Sequence, residues 1–399
     1  MSAILLIIGI IGIAFFPISI CLFMTVLIGA LRSGDDFVTP SYLKKFAIVI
    51  PAHDESALLG RTLESVLGVD YPKHLYEVFV IADNCSDDTA EIAKRHMRVQ
   101  CLERFDIERR GKGYALQWFF EHLAASGIRY EAFLVVDADT IVSSNILTAL
   151  NKALSSNRLV LNTRSEILNP DSSVTAAMAF LGYCMRSLRR KGSTLMGGSA
   201  PIISNGLCLS EEVIKKYGWN ATSITEDREQ WAFFYLQGIS VTAVSEASIS
   251  TIVPDTFKDF GVPRARWDMG ELAVNKKYVV PFFKVLLKKR DVASFLNFIE
   301  IITPPFTHLF LICTIFFLLA ILIFVCSDHK GLSWVLLWSA NILFLSMGTA
   351  LTLISSKASF RTYKKIFLYL PIFVVWRFVN LLRGYLQNTR REWIRSKRG

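Results

Sequence analysis

The chain has no cysteine arrangement built for chemistry. Its seven cysteines form no CxxC pair, and three of them (Cys21, Cys313, Cys326) lie inside apolar segments. No Cys/His grouping has zinc-ligand spacing. The pattern suits thiols kept reduced in a cytosolic domain, not a disulfide framework. Internal repeats, low-complexity tracts and flexible linkers are also missing. Charge is absent from the whole of residues 3–31. That run lacks a basic leader and is too long for a signal peptide, so it reads as a membrane helix.

Apolar residues make up 52% of the 399 positions and are concentrated at the two ends. Further apolar blocks occupy 306–326, 332–354 and 366–382. Each reaches or approaches the ~20 residues that cross a bilayer. This distribution excludes an ordinary soluble enzyme. The charged stretch between is long enough for one large domain. Arg32, Lys44 and Lys45 follow the first apolar run, so the positive-inside rule puts the N-terminus outside and the globular region in the cytoplasm. The expected organisation is a transmembrane helix in 1–31, a cytosolic domain in 32–280 and interfacial amphipathic helices in 281–303. Transmembrane or re-entrant helices follow in 304–385, then a basic cytosolic tail in 386–399. This describes a multi-pass protein of the cell (plasma or inner) membrane with lipid as a partner.

A crossing by 366–382 would carry that tail, with Arg390, Arg391, Arg395, Lys397 and Arg398, to the outside. Pro371 and Arg377 interrupt the segment, and Trp376 suits an interface. It is therefore expected to be re-entrant or to lie in the interface, with a true span as the alternative. Phe282, Phe283, Leu286, Leu287, Phe295, Phe298, Ile299 and Ile302 form apolar faces suited to an interfacial ledge. The formal charge of +10 borders the apolar segments and fits an anionic membrane face, so it calls for no nucleic acid.

The globular stretch alternates strand and helix signals. Strands are expected at 46–50, 76–82 and 133–136, and helices over 58–67, from a capping box at Asp88–Glu91 through Met97, over 112–125 and over 228–236. Such alternation predicts a parallel sheet with helices on both faces. Ligands then sit at the carboxyl ends of the strands, where the chain places Pro51-Ala52-His53-Asp54-Glu55, Ala82-Asp83-Asn84-Cys85-Ser86-Asp87-Asp88 and Asp137-Ala138-Asp139. Two carboxylates at the tip of a buried strand are costly unless something offsets them. A divalent cation shared with substrate phosphates would do so; capping by Asp139 is the plain alternative. Asp83 could accept from a base or ribose or cap a turn, Asp87 and Asp88 suit capping, and His53 could touch a nucleobase or serve as an ordinary polar group.

Three further segments carry polar signals. Arg109-Arg110-Gly111-Lys112-Gly113 precedes a helix and suits a phosphate, although it lacks the P-loop spacing. Thr225-Glu226-Asp227 opens a helix, where a carboxylate either caps or acts as a general base. In Pro263-Arg264-Ala265-Arg266-Trp267, two arginines beside a flat ring can grip a diphosphate and stack on a sugar, or simply belong to an interfacial helix.

In order and spacing these motifs resemble those of the membrane-embedded family 2 glycosyltransferases, the group of cellulose, hyaluronan and chitin-oligosaccharide synthases. The resemblance covers about the whole chain. Pro51 to Glu55 matches that family's first strand-end turn, Asp83 its nucleotide-contacting acid and Gly111-Lys112 its phosphate segment. Asp137 and Asp139 match its DxD motif, Ser204-Asn205-Gly206 its acceptor-side turn and Thr225-Glu226-Asp227 its TED motif. The Gln-x-x-Arg-Trp motif matches 263–267 with one departure, Pro263 in place of Gln, which puts processive synthesis in doubt and leaves transfer intact.

The resemblance implies an α/β fold: a GT-A-like (Rossmann-like) cytosolic domain with a mostly parallel sheet, flanked by transmembrane and interfacial helices. It also implies inverting transfer from a nucleotide-diphosphate sugar, UDP by default, to a saccharide or lipid-linked acceptor. Asp227 would be the base, and Mg²⁺ or Mn²⁺ would sit on Asp137 and Asp139. Pro51, His53, Glu55, Asp83, Lys112, Asp137, Arg264 and Arg266 would bind the donor, while Asn205, Gly206, Glu226 and Trp267 would face the acceptor. The reading from another class is a non-catalytic membrane scaffold or transport subunit with a degenerate transferase domain. Retention of Asp137, Asp139 and Asp227 together speaks against it. Oligomeric state is left open.

Overall fold

The structure, a computed structural model, describes residues 2–203, 205–326 and 331–386. The expected basic tail and Ser204 lie outside the described residues. The first elements are α1 (Ser2–Leu31), β1 (Phe46–Ala52), α2 (Leu59–Leu67), β2 (Tyr76–Asp83), α3 (Thr89–Lys94), β3 (Val99–Arg104), α4 (Lys112–Ser126) and β4 (Ala132–Val135). Next come β5 (Thr140–Val142), α5 (Ile146–Ser155), β6 (Val160–Ile167), α6 (Val174–Leu195), β7 (Leu207–Ser210), α7 (Glu211–Tyr217), α8 (Glu226–Leu236) and β8 (Val241–Thr251). The remainder is helical: α9 (Phe257–Lys289), α10 (Val292–Ile302), α11 (Phe306–Cys326), α12 (Leu332–Ser355) and α13 (Phe360–Leu386).

Two compact units result. The first to consider comprises Ser33–Asn169 and Ser199–Val253. It holds one eight-stranded sheet in the order β3-β2-β1-β4-β7-β6-β8-β5. β1, β2, β3 and β4 run parallel to one another, as do β6 and β8, while β7 and β5 pair antiparallel. The parallel half explains the unbroken apolar runs in the sequence, because helices cover both faces of such a sheet. On one face Phe46, Ile48, Ile50, Val78, Val80 and Leu134 pack with Leu59 and Leu63 of α2 and Leu147 and Leu150 of α5. On the other, Phe79 and Phe133 meet Phe119 and Phe120 of α4 edge to face. Each fully buried side chain of this size stabilises the fold by about 1.5–3 kcal/mol.

Three local expectations are corrected here. The helix after Asp88 ends at Lys94, and Met97 is exposed. Asp88 makes no side-chain cap; the Thr89 N–H donates to Asp87 instead, at 3.0 Å. Thr140-Ile141-Val142 is a short strand on β8 and the next helix begins at Ile146, so Asp139 does not cap a helix. β3, unannounced by any long apolar run, extends the sheet beside β2.

The second unit comprises, among the described residues, 2–32, 170–198, 254–326 and 331–386. Among the described residues, four helices are long and apolar enough to cross a membrane: Leu6–Leu31, Phe306–Cys326, Leu332–Ser355 and Phe360–Arg383. The segment expected to be re-entrant or interface-lying is one continuous helix, α13, which Pro371 does not break. α9 and α10 cover the expected interfacial stretch, and Pro304-Pro305 lies between α10 and α11.

Helix α6 packs on α1 through bare backbone. A Cβ on Gly192 would lie 1.8 Å from the Thr25 carbonyl oxygen, and one on Gly29 would lie 2.1 Å from that of Leu188. Small residues at such a crossing let two helices approach closely, which is how helices associate when lipid removes the hydrophobic drive. Gly192→Ala is expected to cost about 1–3 kcal/mol by overpacking. Gly182→Ala, on the open side of the same helix, is expected to gain about 0.5–1 kcal/mol from helix propensity. Thermal unfolding of the two variants in detergent checks this, and shifts of the same sign would contradict it.

Candidate active site

The carboxyl ends of β1 and β2 are knitted into one rim. Asp54 and Asn84 both adopt left-handed backbone, at φ 53° and 51°, a strained choice tolerated best by Asp and Asn. In that conformation the Asp54 carboxylate accepts from the Ser86 N–H at 2.7 Å and the Asp87 N–H at 3.3 Å. His53 Nδ1 lies 2.7 Å from the Asp83 carbonyl oxygen, and the Glu55 N–H donates to Thr89 Oγ1 at 2.8 Å. Burial alone would raise the Asp87 carboxyl, but hydrogen bonds from Ser56 and Thr89 outweigh it and bring it down to about 2. Asp54, Cys85 and Asp87 bring potential ligand atoms within 4.8 Å of one another. The N–H donors already engage both carboxylates, and burial pushes the Cys85 thiol up to about 11. This group therefore stitches loops together and is a poor metal site.

Asp83 points inward from the end of β2. Arg104, at the end of β3, donates to it at 2.6 Å, and both side chains are buried. Burial raises the Asp83 carboxyl, with Arg104 opposing. Gly111 stands at φ 115° as the N-cap of α4, a conformation open to glycine. Lys112, the first residue of α4, pairs with Asp137 beyond β4. Gly113 then lets the helix press on the loop leading to the next motif, since a Cβ there would lie 2.4 Å from the Ala221 carbonyl oxygen.

The Asp137–Thr140 turn is pinned from both sides. The Asp137 N–H donates to Asn205 Oδ1 at 3.1 Å, and Asn205 Nδ2 donates to Thr140 Oγ1 at 2.5 Å. Thr62 of α2 donates to the Ala138 carbonyl at 2.7 Å and accepts from the Thr140 N–H at 3.1 Å. Gly206, at φ 69°, sits where a Cβ would lie 2.0 Å from Thr163 Oγ1. Asn205 and Gly206 thus support the acidic turn from beneath. Asp139 lines a small cavity with Arg61, Thr62, Leu168 and Ile252. Two carboxylates in one rigid turn, both hard oxygen donors, fit a divalent cation that keeps its other positions for phosphate and water.

Glu226 and Asp227 occupy the first turn of α8. Glu226 is buried, and Asp227, Lys112 and Asp137 surround it. Burial first, then the Asp227 charge, raise its carboxyl to about 8, with Lys112 opposing. Asp227 Oδ1 accepts from the Arg228 N–H at 2.7 Å. Asp83, Lys112, Asp137, Glu226 and Asp227 therefore belong to one neighbourhood. Arg264, Arg266 and Trp267 stand on α9, in the other unit. Sequence reasoning missed Arg104, Thr62 and Thr140. A buried arginine ending a strand beside Asp83 was hidden because β3 itself was not recognised.

The chain has counterparts among known proteins. The family description "Glycosyltransferase like family 2" matches residues 44–270, and the chain belongs to that family. It is 24% identical over 256 residues to a probable glycosyltransferase, YdaM, of Bacillus subtilis, covering 62% of this chain and 60% of that protein. It is 24% identical over 249 residues to a beta-monoglucosyldiacylglycerol synthase of Trichormus variabilis, covering 58% of this chain and 52% of the other. The chain thus spans half to three-fifths of the length of these curated relatives. Among solved structures, the mannosyltransferase PcManGT from Pyrobaculum calidifontis, in complex with GDP-Man and Mn²⁺, superposes with a TM-score of 0.59 at 15% identity, covering 97% of this chain and 99% of that one. The shared fold is the GT-A fold.

The raised carboxyl of Glu226 has a consequence for stability. In the unfolded chain the group ionises near 4.5, and in the folded protein near 8. Between those values the folded state holds the extra proton, so the contribution of Glu226 is present in full below pH 4.5 and declines as pH rises towards 8. Glu226→Gln is expected to flatten the fall in melting temperature between pH 5 and 8. An unchanged slope would contradict the burial-driven shift.

Proposed function

We propose that this glycosyltransferase moves a sugar from a nucleotide-diphosphate sugar to a lipid-linked or saccharide acceptor at the membrane, with inversion at the anomeric carbon. UDP is the default nucleotide. The observation that carries the reading is the gathering of Lys112, Asp137, Glu226 and Asp227 at the carboxyl end of the parallel strands. That is where open α/β sheets bind ligands.

In this reading Asp83 accepts from the base or ribose, with His53 and the Pro51–Glu55 turn closing the same rim. Lys112 and the N-terminus of α4 face the diphosphate. Asp137 and Asp139 would hold Mg²⁺ or Mn²⁺, which when bound neutralises charge building on the departing diphosphate. Asp227 takes the proton of the acceptor hydroxyl as its oxygen attacks the anomeric carbon. The bond from that carbon to the diphosphate oxygen breaks, and the nucleoside diphosphate leaves. Glu226, neutral near pH 7, adds no second charge beside that base and can donate a hydrogen bond to the acceptor. By family resemblance Arg264 and Arg266 assist the diphosphate and Trp267 lines the acceptor site.

The four apolar helices among the described residues support a reaction at a lipid surface, and the positive-inside rule supports a cytoplasmic transferase unit. Pro263, in place of the Gln associated with processive polymerases, favours single addition. The relatives named as monoglucosyldiacylglycerol synthases support a lipid acceptor.

Asp227→Asn is expected to lower kcat by about 10²–10⁴-fold, the usual worth of a general base, while nucleotide affinity stays within a few-fold of wild type. Turnover near wild type, measured by product mass analysis across UDP- and GDP-sugars, would remove Asp227 from that role. Asp139→Ala is expected to weaken Mn²⁺-dependent binding of the nucleotide by about 10–100-fold. Equal affinities with and without Mn²⁺ in the wild type would count against the metal assignment.

A further inference from the structure

The hydrogen bonds that brace the Asp137–Thr140 turn have a direction. The Asp137 N–H donates to Asn205 Oδ1 at 3.1 Å. A backbone N–H can only donate, so the carbonyl side of the Asn205 amide must face it. The NH₂ side then faces Thr140, and Asn205 Nδ2 donates to Thr140 Oγ1 at 2.5 Å. A hydroxyl carries one proton of its own. With its oxygen already accepting from Asn205, Thr140 directs that proton to the neighbouring carboxylate: Thr140 Oγ1 donates to Asp139 Oδ1 at 3.3 Å. The order Asp137 N–H, Asn205, Thr140, Asp139 thus ties the backbone of one carboxylate residue to the side chain of the other.

The links of this chain are themselves held within the same unit. Asn162, fully buried, donates from Nδ2 to the Asn205 carbonyl at 3.0 Å and accepts the Ile203 N–H at 2.7 Å. The Gly206 N–H donates to the Val135 carbonyl at 3.0 Å, and β5 pairs Thr140 with Thr251 of β8. Thr140 is wholly buried and Asn205 is 7% exposed. Water therefore competes little for these bonds, and bonds that run in one sense polarise one another. Apolar side chains of the same shape would hold the turn about as well. What the polar chain adds is a fixed orientation for a carboxylate.

We propose that Thr140 and Asn205 are positioning residues for the divalent cation: they act through Asp139, holding its carboxylate in register with Asp137. The proposal rests on the reading that Asp137 and Asp139 hold that cation. Ligating carboxylates are commonly hydrogen-bonded in turn, and such outer partners tune metal affinity. Asn205 stands 65 positions beyond Thr140, so the segment entering β7 sets part of the geometry of a site that β4 ends in.

The test uses the full chain in detergent, with Mn²⁺ binding followed by electron paramagnetic resonance, without nucleotide and with UDP or GDP present. Thr140→Val keeps the branched shape and removes the hydroxyl. It is expected to raise the Mn²⁺ Kd about tenfold, the low end of what losing an outer partner costs. Thr140→Ser, which keeps the hydroxyl, is expected to bind Mn²⁺ as wild type does. A wild-type Kd in Thr140→Val, whatever its melting temperature, overturns the proposal, as do equal losses in the two variants. Asn205→Ala should also raise the Kd, and joining it to Thr140→Val should add little, because both changes break one chain. Additive losses overturn the chain. Asp139→Ala separates the two readings. If it binds Mn²⁺ like wild type, or if wild type binds no Mn²⁺ under any of these conditions, the cation reading fails and the proposal with it. A weak Asp139→Ala beside a tight Thr140→Val sinks the positioning alone. Should Thr140→Val not fold, Asn205→Ala carries the test, and a wild-type Kd there overturns the proposal.

Discussion

One ammonium group governs the candidate site. Lys112 meets Asp137 directly and lies beside Glu226, with Asp227 next in the chain. Three carboxylates so close cannot all stay ionised at ordinary pH without a balancing cation. The fold meets this in two ways: Lys112 neutralises part of the charge, and Glu226 keeps its proton. A nucleoside diphosphate brings further negative charge, so its binding calls for cations beyond Lys112, and this is the electrostatic case for a metal at Asp137 and Asp139.

Backbone conformation sets this constellation as much as the side chains do. Gly111 opens α4 at φ 115°, Gly113 allows the α4 terminus to press on Ala221, and Asp54 in the left-handed region ties the β1 and β2 rims together. Each places a chemical group by removing an alternative position for it. Strained or glycine-dependent backbone of this kind gathers at functional sites because the surrounding contacts over-determine it. Asn205 and Gly206 belong to the same logic. They hold the Asp137–Thr140 turn from beneath.

Long-period features were legible in the sequence, and short-range pairings were not. β1, β2 and β4 are buried on both faces, so their apolar runs announce them. β3 has only an alternating pattern, with half-buried Val99 and Cys101 and exposed Gln100 and Glu103, and it went unrecognised together with Arg104. The acidic strand ends could be named in advance because parallel sheets put ligands there. Thr62 and Thr140 could not, because their role depends on α2 lying beside the turn, a contact between residues 78 positions apart. The capping expectation at Asp88 failed for a comparable reason. Asp87 reaches the Thr89 N–H first and is held there by Ser56.

The helical unit shows how polar groups are reconciled with an apolar surround. Ser19 donates to Asn341 Oδ1 at 2.7 Å between α1 and α12, and bare glycine contacts bind α1 to α6. Arg377 was a reason to expect that 366–382 would not span, since an unpaired guanidinium in hydrocarbon is costly. In the structure its side chain is only 2% exposed and is matched by Asp268. A paired, protein-facing arginine no longer carries that cost. Pro371, the other reason, leaves α13 unbroken, in keeping with the tolerance of helices in lipid for proline when neighbouring groups re-satisfy the backbone. With both objections removed, α13 keeps the length and apolarity that a crossing of the membrane requires.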